Sequence, residues 1–151
     1  MLQVHGAEGI KALAGEHLGW SDYEVVTQEQ VNRFADATGD HQWIHVDPER
    51  AAKESPFGGP IAHGYLTLAL VPYFLPRMWN VTGFSLGVNY GCERVRFPSP
   101  VPVGASVRCG ITVDAVDEIP GGLSVALTAV IECRDATKPS CVAQVVYRYY
   151  D

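Results

Sequence analysis

The sequence predicts an α+β fold, and three observations predict it. The first half carries helix signals, the second half carries strand signals, and residues 64–76 between them (GYLTLALVPYFLP) are apolar all the way round. Helices followed by a run of strands, rather than alternating with them, build an antiparallel sheet with the helices on one side. A helix that is apolar on every side is buried on every side. At 151 residues the chain is long enough to bury one such core, so a single domain over residues 1–151 is expected.

The elements follow in order. Thr27, with Gln30 three residues later, has the form of a capping box, and Val31, Phe34 and Ala35 then make an apolar helical face. Gly39 is suited to end that helix. Asp47 and Pro48 read as an N-cap followed by a first-turn proline, opening a short helix through Ala51 and Ala52. Residues 55–60 (SPFGGP) hold two prolines and two glycines, which break regular structure. Within 64–76, Pro72 should kink the helix or mark its end. Residues 84–97, 106–116, 123–134 and 141–150 are rich in Val, Ile, Tyr and Phe. The turn signals PSPVPVG, EIPGG and DATKPS separate them. They read as long strands in antiparallel succession, curved around the buried helix.

Composition excludes several classes. The 47% hydrophobic and 19% charged content is that of a globular protein, not a disordered one. The formal net charge is −6 and no run of Lys or Arg could track a phosphate backbone, so nucleic acid is not an expected partner. Cys92, Cys109, Cys133 and Cys141 form no CxxC pair and no Cys/His metal spacing, which reads as reduced thiols in a cytoplasmic protein. The N-terminal residues lack the basic start and apolar core of a signal peptide. The most apolar run, 65–75, is too short to span a bilayer, so no membrane association is expected.

Residues 34–47 read FADATGDHQWIHVD, placing Asp40, His41, His45 and Asp47 within eight residues. Three chemistries compete for them. His41 and His45 stand four apart, as in the HExxH motif of zinc proteases, but Gln42 occupies the place of the Glu and Gly39 argues against a continuous helix. No metal is therefore expected. In a purely structural reading, Asp40 caps a turn, His45 is a satisfied core histidine and Asp47 is an N-cap; His5 and His41 stay in that reading. In the third, Asp40 and His45 hold one water and exchange protons with it. A second feature favours this last reading. His63 and Gly64 stand where the apolar helix begins, where backbone N–H groups lack partners and the helix dipole is positive. A glycine there admits a carbonyl oxygen close to the backbone.

ATGDHQWIHVD, IAHGYLTLAL and YGCERVRFPSPVPVG together resemble the MaoC-like hydratases, the (R)-specific enoyl-CoA hydratases or 3-hydroxyacyl-thioester dehydratases, and most closely their small single-domain actinobacterial members. The resemblance implies a hot-dog fold, a curved antiparallel sheet wrapped around a long central helix, usually as a homodimer with one continuous sheet. It implies reversible hydration of trans-2-enoyl-CoA to (R)-3-hydroxyacyl-CoA. Asp40 and His45 match the family's catalytic Asp and His, and Gly64 its backbone donor to the thioester carbonyl. Gln42 and Trp43 stand where the family often has Asn-Pro, and Gln42 offers a similar amide. Gln42, His63, Tyr65 and Asn89 are the candidates for substrate contact. No cofactor is implied, because coenzyme A is part of the substrate.

Two rivals are weighed against this. A hot-dog acyl-CoA thioesterase would hydrolyse the thioester instead of hydrating the double bond, but such enzymes usually lack the Asp/His spacing seen here. A non-catalytic acyl-thioester-binding subunit would have lost Asp40 or His45, and both are present.

Overall fold

The computed structural model describes all of residues 1–151. Eight strands and six helices follow one another: β1 (Leu2–His5), α1 (Gly6–Lys11), β2 (His17–Trp20), β3 (Glu24–Val25), α2 (Gln28–Thr38), α3 (Trp43–Val46), α4 (Pro48–Glu54), α5 (Gly64–Ala69), α6 (Val71–Met78), β4 (Trp79–Thr82), β5 (Leu86–Arg96), β6 (Ser106–Ile119), β7 (Gly122–Cys133) and β8 (Cys141–Tyr150). This is an antiparallel α+β hot-dog arrangement.

The main sheet runs β2-β6-β7-β8-β5, with β3 also paired to β6, and β1 pairs in parallel with β4 in a small second sheet. All four long strands expected from the sequence are present. Their order is not simple succession, because β5 skips β6 and lies on β8 at the sheet edge. In β7 burial alternates at every residue, so Leu123, Val125, Leu127, Ala129, Ile131 and Cys133 face the core. That is the period-two pattern of a strand with one buried face. Four short strands, β1 to β4, escape the sequence reading, because two to four residues carry too little periodicity to register.

The helix boundaries follow local chemistry. Thr27 Oγ1 accepts the Gln30 N–H at 3.1 Å and opens α2. Gly39 ends it in the left-handed region at φ 79°, its N–H returning to Ala35 O at 2.8 Å. Asp47 caps α4 through Arg50 N–H at 3.0 Å, with Pro48 as first residue.

The apolar stretch departs from expectation in two ways. It breaks at Leu70, not at Pro72, which sits in the first turn of α6, where its missing N–H costs nothing. Nor is it buried all round. Leu66, Leu70, Val71, Phe74, Leu75 and Met78 face the core, while Tyr65 is 74% exposed and Ala69, Pro72 and Pro76 are open too. The open residues recur at helical spacing and form one stripe, so the helix pair has two distinct faces.

Candidate active site

Asp40 lies just beyond Gly39, on the bend between α2 and α3. Its side chain is 55% exposed, and its Oδ1 has only a long contact, 3.4 Å, from the Gln42 N–H. The carboxylate is thus open to substrate. His45 lies in the single turn of α3 and is 7% exposed. Its Nδ1 reaches Ile61 O at 2.6 Å, and Gln28 Nε2 holds its backbone carbonyl at 2.7 Å. A carbonyl only accepts, so Nδ1 carries the proton and Nε2 keeps its lone pair. Burial holds His45 below the usual imidazole range, the neighbouring His63 adds to this, and the Ile61 carbonyl and Asp40 partly offset it.

His63 completes the group. It is 2% exposed, stacks on His45 with centroids 3.9 Å apart and planes 27° apart, and meets Phe34 at 4.9 Å on its other side. Its Nε2 donates to the Asp40 backbone carbonyl at 2.9 Å, while its Nδ1 is buried without a partner. One ligand-type atom from each of Asp40, His45 and His63 lies within 4.8 Å of the others. Two hydrogen bonds of about 2.8 Å meeting at one water span about 4.6 Å, so a single water fits between Asp40 and His45. The same three groups stand close enough together to offer donor atoms to a metal ion. The HExxH-like pair does not form, since His41 turns away to Asp36 at 2.9 Å and is raised in pKa by that bond.

The other sequence candidates divide. Gly64 is the first residue of α5 and directly follows His63, which ties the helix N-terminus to the titratable group. A Cβ on Gly64 would stand 3.0–3.2 Å from three ring atoms of Phe97, a residue the sequence reading passed over. Tyr65 and Asn89 meet across a cavity of about 340 Å³ between α5 and the sheet. Gln42 approaches Asp40 through its backbone N–H, at 3.4 Å from Oδ1. Outside these candidates, Arg108 is engaged with Glu132 at 2.6 Å and with the Trp20 ring at 4.5 Å, while Arg94 and Arg96 stand on the exposed edge strand. All four cysteines are free thiols, three of them buried. Among the helices, none is long and apolar enough to cross a membrane.

Residues 10–132 match the family model described as MaoC like domain. The chain belongs to the MaoC-like dehydratase family. This MaoC-like chain is 50% identical over 141 residues to 3-hydroxyacyl-thioester dehydratase Z of Mycobacterium tuberculosis, with 93% of each chain covered. Among solved structures it resembles a monoamine oxidase regulatory protein from Archaeoglobus fulgidus, with a TM-score of 0.81, 22% identity, and 100% and 99% of the two chains covered. It also resembles an (R)-hydratase from A. caviae, with a TM-score of 0.71, 24% identity, and 89% and 94% covered. At those identities the two structures establish the hot-dog fold. The curated relative and the family together support a dehydratase or hydratase activity, that is, a hydro-lyase.

Proposed function

We propose that the protein reversibly hydrates trans-2-enoyl-CoA thioesters to (R)-3-hydroxyacyl-CoA. The observation that carries this is the convergence of Asp40 and His45 beside the N-terminus of α5, in a chain half identical to a 3-hydroxyacyl-thioester dehydratase over nearly its whole length.

The thioester carbonyl lies against the Gly64 N–H, which has no acceptor within the helix. Asp40 and the bare Nε2 of His45 each accept one hydrogen of the bound water. The water oxygen bonds to Cβ as the double bond's electrons shift toward the carbonyl, and negative charge collects on the carbonyl oxygen. The Gly64 N–H and the positive end of the helix stabilise that charge; a donor of this kind is worth about 3–4 kcal/mol. The pair takes one proton from water and returns one to Cα on the same face, so the enzyme ends unchanged and addition is syn. Neither metal nor redox cofactor enters these steps.

A homodimer goes with this reading. The edge strand β5 leaves backbone groups unpaired over eleven residues, and Leu86, Tyr90 and Phe97 on or beside it are exposed. A long edge of that kind is a template for a second copy. The test is to incubate the protein with crotonyl-CoA and resolve the product's configuration. An (R)-3-hydroxyacyl product supports the reading. Release of free thiol in its place would favour the thioesterase, and unchanged substrate the binding subunit.

A further inference from the structure

Tyr147 lies on β8 and is 9% exposed, yet its hydroxyl is wholly buried and has no hydrogen-bond partner in the protein. Buried hydroxyls are nearly always paired, and a Phe at this place would keep the ring packing without the cost of the orphan group. The hydroxyl needs a partner from outside the chain.

Its position says which. Tyr147 lines both the cavity of about 340 Å³ that holds Tyr65 and Asn89 and a second cavity of about 250 Å³ reaching Trp79. Pro72 lines both as well, so the two adjoin at Tyr147. Along the helices, Tyr65, Leu68, Ala69, Pro72, Leu75 and Pro76 line one or the other. Their spacing of three and four residues places them on one face, and that face starts one residue after Gly64. The groove therefore leads away from the carbonyl-binding end of α5. Pro72 is eight residues beyond Gly64, about 12 Å along a helix. At that distance the mostly apolar lining, which Asn80 and Asn89 also interrupt, includes Tyr147.

We propose that Tyr147 is a specificity-determining donor: its O–H pairs with an oxygen on the distal part of the acyl chain, so the site selects 2-enoyl thioesters bearing a keto or hydroxyl group over plain hydrocarbon ones. This rests on the acyl-thioester reading above. Burial raises the Tyr147 pKa, so the group remains a donor at neutral pH. A site built to bond a substrate oxygen discriminates against the analogue lacking it, because its own polar group is then left unpaired.

The test compares trans-2-decenoyl-CoA with analogues carrying one keto oxygen at successive distal carbons, on wild type and Tyr147→Phe. In wild type one keto position should exceed the plain chain in kcat/KM by about tenfold or more. Tyr147→Phe should erase that preference, bringing the keto-to-plain ratio of kcat/KM to about one. Equal keto-to-plain ratios in the two proteins overturn the proposal and make an internal water the partner of Tyr147. If neither protein turns over any substrate, the hydration reading fails. Calorimetric binding of the matched saturated acyl-CoA pairs then decides the same ratio without chemistry.

Discussion

Gly64→Val separates two reasons for a glycine at the start of α5. An added Cβ would lie 3.0–3.2 Å from Cδ2, Cε2 and Cγ of Phe97. Carbon atoms rest at about 3.5 Å or more, so the ring must withdraw by about half an ångström, and further for the valine methyls. Phe97 is 41% exposed and has room to move. The stability cost should therefore fall at the low end of the overpacking range, about 1 kcal/mol. The catalytic cost should be larger. If the glycine exists so that a thioester carbonyl can reach the backbone N–H, losing that contact lowers kcat/KM by about 10²–10³. The assay is the absorbance of the enoyl-thioester band, with a thermal melt alongside. The double variant Gly64→Val/Phe97→Ala decides between the causes, as a double-mutant cycle does. It should recover the melting temperature and not the rate. Recovery of the rate on removing Phe97 would refute the reasoning, since the glycine would then serve only to seat the ring.

Other expected outcomes are these. His45 sits below its ordinary pKa because of burial, so the folded state resists its protonation; its contribution to stability is present above about pH 6.5 and is lost as pH falls toward the lowered folded value. The slope of stability against pH in that window should flatten in His45→Gln. Asp47→Ala should cost about 1 kcal/mol, read by denaturant titration, with kcat unchanged, because the Asp47 carboxylate caps α4 through the Arg50 N–H. Exhaustive chelation with EDTA should leave activity intact, and a chelator-sensitive rate would revive a metal-centred reading of Asp40, His45 and His63.

The parts of the fold legible in the sequence were those with strong local chemistry. The Thr27 cap, the Gly39 stop and the Asp47-Pro48 start fix α2 and α4 within a few residues each. The long strands announced themselves by β-branched and aromatic runs between proline and glycine turns. What escaped depends on partners far away in the chain. The pairing of β1 with β4 joins residues 77 apart, and nothing local in LQVH foretells it. The burial of 64–76 was overstated because an apolar stripe open to a groove has the same composition as one sealed in a core. At the site, the spacing put Asp40 and His45 forward beside competing readings, and the family resemblance singled them out. The place of His63, 23 residues from Asp40 and stacked on His45, exists only once residues 61–63 fold back against α3. The unpaired hydroxyl of Tyr147 left no mark in a strand rich in apolar and aromatic residues.

The central claim is that Asp40 and His45 hydrate an enoyl thioester. It is tested most directly by following the enoyl-thioester absorbance with crotonyl-CoA for wild type and Asp40→Asn side by side, with a melt of each. The Asp40 carboxylate is half exposed and accepts only the long bond from Gln42, so the amide should leave the melting temperature unchanged. The account predicts loss of the band with wild type and a rate at least about 100-fold lower in the variant. Equal rates in two equally stable proteins would contradict it.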